Sequence, residues 1–331
     1  MNKALLILFA AAILSGQVIG VGNFIHNVSD LDKSLAFYHD VLGMDLQRAA
    51  GPPATGPRPF VDTPEILNLY NALGGQFRVG TAMVPESPMR AELVEFKDVD
   101  RKPVRPRIQD PGASIFVLAV RDLTPILARI KNSKAAVITT GGDSVLVAGG
   151  SRAILVQDPD GFFVELVQAN PEPVTKAPKD SNFIGVSFAF TVSDAERMAR
   201  VFKNALGFDP RTGAFEKDKA QGQLLGLRGA QIRRTKALVP GTSFQVEFLE
   251  FKGIDRKPVH SRPQDPGSAV LRLVVRDADS AVKLLDAAGI KIASAGGNIV
   301  KLPGANANLR AAIAGAPDNL FVQVLQTGPA Q

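Results

Sequence analysis

The chain has 331 residues, no cysteine, no tryptophan and a formal charge of +6. That is room for about two ordinary domains. The missing thiol excludes disulfides, thiolate nucleophiles, zinc–cysteine sites and iron–sulfur clusters, and with two tyrosines and no run of basic residues interleaved with aromatics, nucleic acid is not an expected partner.

In chain order, Met1-Asn2-Lys3 carries one positive charge, Ala4 to Leu14 is unbroken apolar, and Ser15-Gly16-Gln17 and Gly20 follow. This is the charged, apolar and small-residue sequence of a secretory signal peptide. It assigns 1–20 to a leader cleaved after Gly16 or Gly20, and the mature protein to the periplasm or the exterior. The alternative is an uncleaved N-terminal membrane anchor. The run falls short of the ~20 residues that span a bilayer, so no stable membrane insertion is expected after cleavage. Position 17 is Gln, where a lipoprotein would need Cys.

Asn23–Val28 then reads as a strand, and Asp30 caps a helix through His39 carrying Leu31, Leu35, Ala36 and Tyr38. A strand near Asp45–Arg48, a helical insertion around Pro64–Leu73 and strands at Phe77–Val84 and Ala91–Phe96 follow. The pattern restarts at strand Ser114–Val120. Asp122 caps a helix carrying Leu123, Ile126, Leu127 and Ile130. Strands near Ala136–Thr139, Ser144–Val147 and Ala153–Gln157 lead to the turn Asp158-Pro159-Asp160-Gly161 and strand Phe162–Val167.

The whole pattern then recurs. Gln76–Leu123 aligns without a gap onto Gln231–Ala278, with roughly half the residues identical. Further matching elements are Ile184–Val192, helix Asp194–Leu206, Phe244–Phe251, Ala269–Val275, helix Asp277–Ala288 and Leu320–Leu325. The chain is a duplication of a unit covering 22–170 and 182–327, joined by a proline-rich, charged linker at 171–181.

In the first copy, Val28-Ser29-Asp30-Leu31 with Ser34-Leu35-Ala36-Phe37-Tyr38 and Leu42-Gly43 opens a motif. Gln157-Asp158-Pro159-Asp160-Gly161-Phe162 with Val164-Glu165-Leu166 closes it. Together they resemble the vicinal oxygen chelate superfamily, which includes glyoxalase I, bleomycin-resistance proteins and extradiol dioxygenases. The resemblance implies an α+β fold of two tandem domains, each of two paired β-α-β-β-β units whose curved mixed sheets surround a cavity. It also implies lyase, isomerase, dioxygenase or metal-free binding functions, a breadth that leaves catalysis undecided.

In metal-using members of that superfamily four side chains line the cavity, one from each of four strands. The matching positions in the first copy are Asn23, Glu92, Ile115 and Glu165; in the second they are Ser187, Glu247, Val270 and Gln323. His26 shares a face with Val28, opposite Asn23, because side chains alternate along a strand, and it is expected to be packed rather than ligating. His39 and His260 are not placed to chelate. Without an imidazole or thiolate neither set suits a transition metal, and no cofactor is expected. The alternative is a weakly held divalent cation on Asn23, Glu92 and Glu165. Glu92 and Glu165 are also the candidate acid and base, if they share one cavity; otherwise they pair with cations such as Arg78. Arg272 shares the inward face with Val270, where the first copy has Val117, and is expected to pair with Glu247 or hold an anionic ligand group.

The basic loops Lys97–Gly112 and Lys252–Gly267 recur nearly unchanged although the cavities differ, which favours a structural crossover over a substrate rim. The inward Ile25, Ile115, Val117 and Ala119 suit a small apolar or aromatic guest. The expectation is an exported small-molecule binder without a transition metal. The alternatives are a divalent-metal enzyme using Glu92 and Glu165, or a structural, partner-binding protein with filled cavities. Oligomeric state is open.

Overall fold

The computed structural model describes residues 17–47, 58–87, 89–304 and 309–329; most of the leader assignment lies outside them. Four β-α-β-β-β units follow one another. The first comprises β1 (Val18–Val28), α1 (Leu31–Ala36), α2 (Pro64–Leu69), β2 (Gln76–Ala82) and β3 (Ala91–Lys97). The second comprises β4 (Ser114–Val120), α3 (Thr124–Asn132), β5 (Ala136–Val137), β6 (Val145–Leu146), β7 (Arg152–Gln157) and β8 (Phe163–Gln168). The third comprises β9 (Phe183–Thr191), α4 (Ala195–Leu206), β10 (Arg211–Glu216), α5 (Lys219–Leu224), β11 (Gln231–Leu238) and β12 (Gln245–Lys252). The fourth comprises β13 (Ala269–Val275), α6 (Ala278–Ala287), β14 (Lys291–Ile292), β15 (Val300–Lys301), β16 (Arg310–Gly315) and β17 (Phe321–Gln326).

Local chemistry starts the helices where expected. Asp30, Asp194 and Asp277 each accept a hydrogen bond from the backbone N–H three residues on. Asp122 acts differently: Leu123 is the cap of α3, and the Asp122 carboxylate accepts from the Thr124 N–H one step earlier, at 2.8 Å. The first helix also runs beyond His39, widening into a π-helical stretch, Phe37–Leu42, that ends at Gly43 with φ of 84°. β1 begins at Val18, not Asn23, because Val18 and Val21 pair with Val275 and Leu273 and are buried. The strand expected near Asp45–Arg48 is reduced to a bridge between Leu46 and Ala82, Arg48 lying outside the described residues.

The α+β class and the paired units in curved mixed sheets are as the sequence indicated. What differs is each unit's partner. One sheet has the order β14-β16-β17-β13-β1-β3-β2 and joins the first unit to the fourth. The other runs β10-β11-β12-β9-β4-β8-β7-β5 and joins the third to the second. The two central seams, β1 with β13 and β4 with β9, are antiparallel and both bridge the copies. The duplication remains legible at 22–170 and 182–327, but the sheets do not follow its boundary.

Two crossing loops explain this. Residues 98–113 carry the chain from the first sheet to the second, and 253–268 carry it back. They clasp reciprocally. The Lys102 N–H donates to Asp265 at 2.9 Å and the Lys257 N–H to Asp110 at 2.8 Å; Arg107 bridges Asp110 and Asp255, while Arg262 bridges Asp265 and Asp100. Each loop is the other's template, so a change in one disturbs two, which accounts for their near identity.

Between the sheets lies the main core, where Phe24 stacks on Phe116 and packs 4.2 Å from Phe188. His26 belongs to this face, fully buried. Its Nε2 lies 2.9 Å from an Asp158 oxygen, as expected for a packed histidine rather than a ligand. The outer, concave face of each sheet carries a smaller apolar cluster, one around Ile25, Val270 and Phe321, the other around Ile115, Leu249 and Phe163. These two faces are the hollows.

Candidate functional site

The first hollow lies over β3, β1, β13 and β17. Glu92 is held by Arg272 through two hydrogen bonds, of 2.9 and 3.1 Å, and by the Asn23 side-chain amide. The Arg272 Nε donates to Gln323 at 3.0 Å. Four strands therefore converge on one guanidinium. Its stem fits because β1 bulges here and Gly22 has no Cβ; one would stand 2.7 Å from the Arg272 Cδ. Burial alone would raise the Glu92 carboxyl, but the Arg272 charge and the hydrogen bonds outweigh it and hold it below the usual range. Val270 lies under the cluster as apolar floor, and Tyr70, one residue past α2, covers it with a buried hydroxyl.

The second hollow lies over β12, β9, β4 and β8, the register placing Val117 opposite both Ser187 and Glu165. Glu247 pairs with Arg234 of β11 at 3.0 Å, and Arg234 also donates to Gln221 of α5. Glu165 is half-buried and receives no hydrogen bond among the described residues. Burial pushes its carboxyl up to about 7; Arg234 opposes the shift and Glu247 adds to it. Arg234, Gln221 and Ile232 also line a cavity of about 570 Å³.

The positions singled out from sequence line these hollows in new combinations. Asn23, Glu92, Val270, Arg272 and Gln323 share the first; Ile115, Glu165, Ser187 and Glu247 share the second. Glu92 and Glu165 do not meet, since β3 and β8 belong to different sheets, so neither their proposed acid–base pairing nor an Asn23–Glu92–Glu165 cation site exists. Arg272 pairs with Glu92, not Glu247, and Arg78 serves Glu95 and Asp32 instead. The misplaced Glu92–Glu165 and Arg272–Glu247 pairings have one cause, that each copy is split between the sheets and each hollow collects residues from both copies; Arg78 stands opposite Glu95 in the β2–β3 register.

Arg234 and Gln221 were missed. The signal was available: Arg234 aligns with Val79, a charge replacing an apolar residue on an inward face, the same contrast as Arg272 against Val117. The two hollows thus acquire a guanidinium from different strands, β13 in one and β11 in the other.

This arrangement does not fit the metal implied by the fold family. Neither donor set contains an imidazole or thiolate, and two of the three retained glutamates, Glu92 and Glu247, are already bound by a guanidinium that repels a second cation, which leaves Glu165 alone in the second hollow as a carboxylate without such a partner among the described residues. Among the described residues no three His, Cys, Asp or Glu side chains converge with metal-binding geometry.

Comparison with known proteins places the fold. The chain is 26% identical over 186 residues to a lactoylglutathione lyase of Oryza sativa subsp. japonica, covering 55% of this chain and 52% of that protein. Lactoylglutathione lyase GLX1 of Arabidopsis thaliana matches at 26% over 186 residues, 55% of this chain and 53% of that protein. The aligned region spans about half the length of these curated relatives. Among solved structures, glyoxalase I from Zea mays superposes with a TM-score of 0.58 at 20% identity, covering 93% of this chain and 92% of that one. A putative dioxygenase from Bacillus subtilis subsp. subtilis str. 168 does so with 0.57 at 10%, covering 96% and 87%. At such identities these likenesses concern fold alone. Residues 20–166, the first copy, match the family model of the Glyoxalase/Bleomycin resistance protein/Dioxygenase superfamily.

Proposed function

We propose that this is an exported protein that binds a small, largely apolar molecule in the second hollow, without a transition metal. The observation that carries the reading is the contrast between the hollows. In the first, Asn23, Glu92, Arg272 and Gln323 satisfy one another and leave little for a ligand to do. In the second, Glu165 has no hydrogen-bond partner among the described residues, and Arg234 opens onto a cavity that Ile232 of the apolar cluster also lines. Convergent polar groups beside an apolar cluster, here the one around Ile115, Leu249 and Phe163, are the usual form of a small-molecule site. The relatives' lyase activity is not carried over, because its support here would have been a shared Glu92–Glu165 site.

Native mass spectrometry of the mature protein, purified without added metal, tests this reading. A small organic adduct is expected, displaced in the Arg234→Met variant and kept in a variant of the exposed Lys134. The reading fails if no adduct is found and no small aromatic molecule raises the melting temperature.

A further inference from the structure

We propose that the second hollow takes an organic cation, an apolar stem ending in an N–H-bearing head, and that this head bridges Glu165 and Glu247 as Arg272 bridges Gln323 and Glu92 in the first hollow. The inference rests on the reading of the second hollow as a ligand site and adds the chemistry of its ligand.

The duplication makes the two hollows comparable position by position. In the first, Arg272 is registered beside Gln323, and Glu92 beside Ile25. In the second, Val117 is registered beside Glu165, and Glu247 beside Ala189. Val117 therefore stands where Arg272 does, Ser187 where Asn23 does, and Glu165 where Gln323 does. Valine in place of arginine removes a long stem and a planar head of N–H donors. Serine in place of asparagine removes the amide that caps Glu92, and glutamate in place of glutamine adds a charged acceptor.

The room and the unmet acceptors are both present. Gln323 is 1% exposed beneath Arg272, whereas Glu165 is only half-buried, as are Val117 and Ser187 beside it on the central strands β4 and β9. Glu92 accepts hydrogen bonds on both oxygens, from Arg272 and Asn23. Glu247 has one oxygen on Arg234, at 3.0 Å, and the other buried without a hydrogen-bond partner. Buried acceptors are ordinarily satisfied. Arg234 neutralises Glu247 and fixes its orientation, so Glu165 is the surplus charge, and a cation carrying N–H donors completes both carboxylates. A bare metal ion would be under-coordinated, because among the described residues no third His, Cys, Asp or Glu joins the two glutamates. Ile115, Phe163 and Leu249 of the apolar cluster suit the stem.

Two measurements on the purified mature protein test the proposal. The first needs no ligand: Val117→Arg supplies a guanidinium from within. An arginine set among apolar side chains ordinarily destabilises, but here it should leave the melting temperature unchanged or raise it, and should lower it in a Glu165→Gln background. Destabilisation of wild type as great as that of the Glu165→Gln variant overturns the bridging geometry. The second is titration calorimetry with 3-phenylpropylguanidine, 3-phenylpropanol and 3-phenylpropionate, matched in stem, at pH 8, where Glu165 is ionised. The guanidine is expected to bind about ten-fold more tightly than the alcohol, the scale of one hydrogen bond to a charged group. Glu165→Gln should remove that advantage and leave the alcohol unaffected. Equal binding of guanidine and alcohol, a preference for the carboxylate, or an advantage that survives Glu165→Gln overturns the cation assignment while leaving the hollow a site for an apolar molecule. If none of the three probes binds, the ligand-site reading falls, and the proposal with it.

Discussion

Replacing Arg272 by Met removes the guanidinium from the first hollow and leaves Glu92 among Ile25, Val270 and Phe321. Glu92 and Arg272 side chains are 15% and 17% exposed, so the pair is largely shielded from solvent. Removing one partner of a buried ion pair leaves the other charge uncompensated, at a cost of about 3 kcal/mol. In urea that is a fall of about 1 M in the unfolding midpoint, for a slope of ~3 kcal/mol per M. The double variant Arg272→Met with Glu92→Gln removes both charges and should recover most of the loss, giving a coupling of about 2 kcal/mol in a double-mutant cycle. Acid should help the single variant selectively. Without Arg272, burial pushes the Glu92 carboxyl up, so the penalty at pH 8 shrinks as pH falls and the group protonates. The reasoning is refuted if the two substitutions are additive, or if Arg272→Met destabilises equally at pH 5 and pH 8.

Other consequences follow from the interlaced sheets. Residues 17–170 alone expose β1 and β4 as bare central strands, so the isolated first copy should form a homodimer in which β1 pairs with β4 of the other molecule; light scattering reporting a folded monomer would contradict the seam assignment. The second copy holds Phe190 and Ala316 where the first has His26 and Asp158. His26→Phe alone, which strands Asp158 in the core, should cost about 3 kcal/mol, and His26→Phe with Asp158→Ala markedly less. The His26 pKa is raised: burial lowers it, but Asp158 outweighs burial. Its contribution to stability is therefore complete below the unfolded-state value near 6.5 and is lost as pH climbs through the higher folded value, so the advantage of wild type over the double variant should shrink at alkaline pH. If the leader is cleaved as expected, the intact mass of the exported protein should correspond to a start at Gln17, since cleavage after Gly20 would remove Val18, which is 2% exposed and paired with Val275.

The helices and most strands were legible because local chemistry sets them: aspartates at 30, 194 and 277 cap, and alternation marks strands such as Ala269–Val275. The facing of Asn23 against His26 was also legible, since a strand has only two faces. The choice of partner unit was not. An inward-facing residue advertises that it lines a hollow, but nothing in its own strand says which other strand completes that hollow. That depends on the direction taken by the loops at 98–113 and 253–268. Asp110 and Asp265 are recognisable as turn residues, yet their bonds to Lys257 and Lys102 run between the copies. Hence the shared cavity considered for Glu92 and Glu165 does not form, because β3 and β8 belong to different sheets. Arg234 was hidden for a simpler reason: it lies on β11, outside the four positions that the family resemblance draws attention to.

The central claim is that a guanidinium fills the cation's role in both hollows. Elemental analysis of the purified protein after incubation with zinc, nickel, manganese and iron salts and desalting tests it most directly. The account predicts far less than one metal per chain for wild type, with no change in melting temperature. One tightly retained ion per chain, lost on Glu165→Gln or Glu92→Gln, would contradict it.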